Sequence, residues 1–310
     1  MALEGLLHIK KALGSLNSKQ VRDMSERAVR IALHAGSQES YQRMENFFLR
    51  DLRPTRRRQS AVLLARAPVL PGAPINIQIY DEGVPTPPGA LVFRPDHPHT
   101  LIVKTLAAHP DLGVALAKSF LPFRRPFVER TVSRVARENM FFSLATALPD
   151  VIPSIIELPW AVAEFASDTA FLTMNQVRMA FLIAGASDRE VGYMEQKSEI
   201  AMVIGSAFGW RALARQLIGK IPFGGGLIAK AAVAYAGTKV LGLSLDHYYS
   251  IGFTYTREER DRLYTEAFRQ GKNAALKILK YLRPDLAARF AAEAAQRPLP
   301  PAILPSQAQN

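Results

Sequence analysis

The sequence predicts a mainly α fold: a helical bundle with a small proline-rich α/β or β-hairpin segment in the N-terminal half. Three observations carry that expectation. Apolar residues recur at helical spacing through most of the chain. Prolines gather between Pro68 and Pro98, where short strand-like pieces interrupt the helical pattern. Finally, Ile221–Gly252, IPFGGGLIAKAAVAYAGTKVLGLSLDHYYSIG, sets a proline and three glycines before a helix-length run of small and apolar residues.

Taken in order, Leu3, Leu6, Leu7 and Leu13 can line one face of a first helix with Lys10 and Lys11 beside it, either docked on the protein or lying on an anionic membrane. Glu4 and His8 interrupt any signal-peptide apolar core there. Ser18 is placed to cap a helix through Ala35, with Val21, Met24, Ala28, Ile31 and Ala32 on one face and Gly36 as its stop. A second helix is expected from Gln38 to Leu52, burying Tyr41, Met44 and Phe48. Ile75–Asp81 and Ala90–Phe93 read as strands, and Thr100–Leu106 as a third strand or a helix start. The proline density argues against a large sheet.

Helices resume after Pro110, break at Pro122, and break again at Pro149, Pro153 and Pro159. They continue over Thr169–Ala186, Val191–Ile218 and Leu227–Leu245. Thr256 and Glu259 form a capping-box pattern opening a helix to about Leu282, which Pro284 ends; Asp285–Gln296 is one more short helix. The resulting division is 1–60 (basic helices), 61–110 (proline-rich α/β segment), 111–296 (apolar helical domain) and 297–310 (tail).

The charge of +12 is uneven, +9 up to Leu148 and +3 beyond it. Arg53, Arg56, Arg57 and Arg58 form the densest basic cluster, read as a solvated loop or an anionic-surface contact. No aromatics flank it for base stacking, so the sequence disfavours nucleic acid as a partner. There is no cysteine, which excludes disulfides, zinc–thiolate sites and cysteine nucleophiles.

Two segments approach the length of a membrane span, but Arg178 stands at the middle of Thr169–Ser187 and Lys230 at the middle of Pro222–Thr238. Ala234, Thr238 and Gly242 recur every fourth position and make a thin helix edge for close packing; Gly224, Gly225 and Gly226 suit a tight turn into that helix. Glu157, Glu164 and Asp168 share an orientation and can answer Arg178 in a buried ion pair; the competing readings are a carboxylate metal site, which lacks its Glu-x-x-His partner, and a solvated stripe.

Catalytic and cofactor motifs are not found. Lys230 lies out of register for a phosphate loop, and Asp96, His97 and His99 sit in a proline-bound loop with no further ligands in sequence. His247 reads as a helix-end residue. The expectation is a non-enzyme without cofactor or metal.

From about Asp168 to Leu282, through QVRMAFLIAGA at Gln176–Ala186 and the glycine-led run above, the chain resembles the YcjF-like family of hydrophobic domains, which often follow small GTPase domains. The resemblance implies helical structure, membrane association and no established catalytic role, although this chain has no recognisable GTPase domain. The functional expectation is a membrane-associated or membrane-embedded helical interaction protein on the cytoplasmic side. The alternative is a cytoplasmic soluble scaffold that self-associates or docks on a GTPase.

Overall fold

A computed structural model describes residues 17–69, 72, 74–146, 168–205, 226–282, 284 and 287–288. It is mainly α, with one small parallel sheet in the N-terminal half. The chain divides into two compact units, one of residues 18–130 with 182–192, the other of 1–17, 131–181 and 193–310. The first leucine-lined helix, the short helix after Pro284 for the most part, and the tail lie outside the described residues.

The sheet unit begins with α1, Ser18–Glu26. The expected continuation to Ala35 is not formed; the chain instead enters β1, Ile31–His34. Ile31, Ala32 and Leu33 are all at most 1% exposed. Three successive helical residues sweep about 200° and cannot all face one core, whereas a strand covered on both faces buries each of them. Helical spacing is the wrong period for this apolar run.

Helix α2, Gln38–Leu49, follows a three-residue turn and is capped reciprocally by Ser37 and Ser40. Helix α3, Pro54–Ala61, comes next and holds Arg56, Arg57 and Arg58 on a helix instead of a loop, with Arg53 at its N-cap and Pro54 in its first turn. The strands are β2 (Leu64–Arg66), β3 (Ile77–Asp81) and β4 (Leu91–Phe93), in the spatial order β2-β1-β3-β4. Every pairing is parallel, which removes the hairpin alternative. The return from β3 to β4 uses only residues 82–90, with Pro85, Pro87 and Pro88 among them. Extended proline-rich chain covers about 3.1 Å per residue, enough to run back along so short a strand.

One sheet face carries Leu33, Ile77, Ile79 and Phe93 and packs on α2, where Phe47 and Phe93 lie 5.2 Å apart. Phe48 then meets Phe120 and Phe123 at 5.3 and 5.8 Å. Thr100–Leu106 is helical, inside α4 (Pro98–Ala108). A 3-10 turn, Pro110–Leu112, leads to α5, Gly113–Ser119.

Helix α6, Leu121–Ala145, and helix α7, Asp168–Ala186, contribute residues to both units. The end of α7 is closed by Asp188 at φ 60°, with Arg189 N–H bonded to Ala184 carbonyl and Asp188 N–H to Gly185 carbonyl, a Schellman closure. In the helical unit, residues 197–205 form part of the expected Val191–Ile218 helix, and 191–196 do not. Helix α8, Gly226–Ile251, runs six residues past the expected end and turns at Gly252 (φ 84°) into α9, Arg257–Leu282. Ala232, Val233, Ala236 and Val240 of α8 bury Tyr264, Ala267 and Phe268 of α9. Ala136, Met140 and Leu144 of α6 join Leu227, Ile228, Ala231 and Tyr235 of α8 with Ala275 and Leu279 of α9.

Candidate functional site

Within the helical unit, α6, α7 and α8 meet at four polar side chains. Asn139 and Thr238 are fully buried, and Asn175 and Gln176 nearly so. The Asn139 amide donates to Thr238 Oγ1 at 2.9 Å, and the Gln176 amide donates to the same oxygen at 3.0 Å. The Asn175 amide donates to Asn139 Oδ1 at 3.0 Å. Thr238 passes its own proton to the Ala234 carbonyl one turn back, at 2.8 Å. A single hydroxyl therefore fills two acceptor positions and one donor, its full capacity. Gln176 Oε1, Ser143 Oγ and Thr173 Oγ1 are buried without a hydrogen-bond partner among the described residues.

Next to this junction, the chain backbone approaches closely. A Cβ on Gly242 would lie 2.5 Å from Val132 Cγ2 and 3.0 Å from Met179 Sδ. Of the three residues expected to form the packing edge, Thr238 and Gly242 are buried and Ala234 is half-buried, contributing its carbonyl. Gly226 begins α8, while Gly224 and Gly225 lie outside the described residues. Lys230 and Lys239 point to different neighbours. Lys230 Nζ lies 3.4 Å from Thr146 Oγ1 at the end of α6, and Lys239 Nζ 2.7 Å from Gln270 Oε1 of α9.

Arg178 is half-buried, not buried, although Val177 and Met179 beside it are completely enclosed. A long guanidinium side chain between buried neighbours can lay its stem on apolar surface with its head in water. Its expected partners Glu157 and Glu164, and the Asp168 side chain, fall outside the described residues.

The arginine cluster is divided in its commitments. Arg56 pairs with Asp188 and also donates to Gln59 at 3.1 Å. Arg57 donates to the Leu49 carbonyl at 3.0 Å and to Asn46 at 2.8 Å, tying α3 to α2. Arg53 and Arg58 are exposed. Asp188 also has Lys118 4.0 Å away, so two cations offset the carboxylate that closes α7.

At the carboxyl edge of the parallel sheet, the place where α/β proteins bind ligands, the cap between Ser37 and Ser40 already occupies two groups at the start of α2. His34 and Tyr80 stack there at 4.1 Å. His97 and His99 are exposed, and no group of three metal-ligating side chains occurs among the described residues.

The polar junction carries no titratable group and thus cannot move a proton at neutral pH. What it does is hold three helices in one register, since slipping any of them strands buried amides. Asn175 and Gln176 lie inside the candidate span Thr169–Ser187, whereas Asn139 lies among the charged residues of α6. The available signal was a pair of uncharged amides at the centre of an apolar helix. Comparison with known protein families, with curated proteins and with solved structures finds no match.

Proposed function

We propose that this chain is a membrane-associated helical interaction protein, without catalysis of its own, acting at the cytoplasmic face of a membrane. The observation that carries the reading is α8. Its residues Leu227–Ile251 form a helix long and apolar enough to cross a bilayer. Its glycine edge and polar junction are the features by which apolar helices associate closely. Anionic lipid is a second partner under this reading, through the exposed Arg53 and Arg58.

A soluble scaffold that self-associates or docks on a GTPase is the competing reading, and two observations favour it. Of the most apolar stretch of α8, 72% is buried inside the protein. Helix α9, with charges from Arg257 to Lys280, also lies along α8, and those charges resist the hydrocarbon interior. Washing membranes from expressing cells with alkaline carbonate separates the readings. Retention in the pellet supports an embedded protein, release supports a peripheral one, and full recovery in the soluble fraction before any wash supports the scaffold.

A further inference from the structure

Exposed large apolar side chains on α8 and its turn are concentrated at one place. Tyr248, Ile251 and Phe253 are 40%, 56% and 74% exposed within six residues, where α8 ends and turns toward α9. From His247 to Thr256, ten successive residues contain no Lys, Arg, Asp or Glu, in a chain that is 21% charged. Charge returns on both sides, at Asp246 and at Arg257. The tip is therefore a cap free of Lys, Arg, Asp and Glu above a charged collar.

This exposure is held in place. His247 and Tyr255 stack at 4.0 Å and 19°, bracing the two limbs of the turn. Tyr249 hydroxyl donates to Glu199 at 2.9 Å. Gly252 takes the left-handed conformation that ends α8, its N–H bonded to the Tyr248 carbonyl at 2.8 Å. Thr256 and Glu259 fix the start of α9 through reciprocal bonds at 2.8 and 3.3 Å. Little conformational freedom is left to lose on contact with a surface.

We propose that this tip is the membrane contact, with Ile251 and Phe253 entering the acyl boundary and Tyr248 resting at headgroup level. The proposal rests on the membrane reading above and names the surface that serves it. Lipid fits the tip better than a protein does for two reasons. The aliphatic and phenyl groups are the most exposed and the tyrosine less so, matching the order of polarity across a bilayer interface. The segment itself carries no Lys, Arg, Asp or Glu, so the insertion of Ile251 and Phe253 takes none of these charges with it.

Because the chain has no cysteine, Phe253→Cys gives one site for an environment-sensitive fluorophore on the full-length protein. The probes are phosphatidylcholine vesicles, the same vesicles with added phosphatidylserine, and brominated-acyl lipid as quencher. The expected result is a blue-shifted, quenchable label with both vesicle types, persisting at high salt. In co-sedimentation, the double variant Ile251→Ser, Phe253→Ser should lose at least about tenfold in bound fraction at unchanged thermal stability, since both side chains are exposed. If wild type binds and the double variant binds equally, the tip proposal is overturned and the membrane reading stands. If wild type binds neither vesicle, both fall. If the substitutions abolish only concentration-dependent self-association, the tip is a contact between copies and the lipid proposal is overturned.

Discussion

Thr238 shows how much can rest on one hydroxyl. Its Oγ1 accepts from Asn139 and Gln176 in a site closed to water. Replacing it with valine keeps the shape and removes the acceptor, leaving two buried N–H groups unpaired at about 1–3 kcal/mol each. Thr238→Ser keeps the hydroxyl and loses one methyl, about 1 kcal/mol. Urea unfolding of both variants should therefore place valine well below serine. An equal loss in the two would mean that the amides find other acceptors. A second residue-scale test moves attention from Ala234 to Gly242. Ala234 is half-buried, so the edge is tightest elsewhere. Gly242→Ala would instead drive a methyl into Val132 and should cost about 1–3 kcal/mol. Val132→Ala in the same chain should return part of that loss, and a double variant no better than the single would contradict the contact.

At the scale of elements, the helices were more legible than the strands, for reasons visible in particular residues. Helix α9 was readable because Thr256 and Glu259 mark its start by local chemistry and its apolar face repeats for seven turns. Strand β1 was not, because its apolar residues continue the phase of the helix before it. With only three residues, β2 offers no alternation to detect. The polar junction was illegible for a different reason: Asn139 is 36 positions from Asn175 and 99 from Thr238, so only the folded chain brings the amides together. The local cap of α9 also makes a pH prediction. The Thr256 backbone N–H, and then its hydroxyl, hold the Glu259 carboxyl below its ordinary value of 4.5. A lowered folded pKa contributes stability that is complete above the unfolded value and is lost as pH falls through the folded one. The first turn of α9 should therefore be intact at neutral pH and fray in acid. Amide exchange at Thr256 should accelerate on acidification relative to the middle of α9. Glu259→Gln, which keeps an acceptor but cannot titrate, should flatten that response.

For the whole molecule, a net charge of +12 invites the view that any anionic surface will attract it uniformly. The structure divides the densest cluster into two kinds of arginine. Arg56 and Arg57 are spent on Asp188, Asn46 and the Leu49 carbonyl, whereas Arg53 and Arg58 face solvent. A basic residue near an anionic bilayer contributes about 1 kcal/mol, and only while salt does not screen it. The double variant Arg53→Gln, Arg58→Gln should thus weaken binding to phosphatidylserine vesicles and make it less sensitive to salt, with no change in melting temperature. Arg57→Gln should do the reverse, lowering the melting temperature by loosening α3 from α2 and leaving lipid affinity nearly unchanged. Neither variant should affect binding to phosphatidylcholine, which has no net charge for these residues to meet. Vesicle co-sedimentation at low and high salt, run beside thermal unfolding, checks all of this. If Arg57→Gln reduced phosphatidylserine binding as strongly as the exposed pair, at full stability, its internal hydrogen bonds would not be what occupies it.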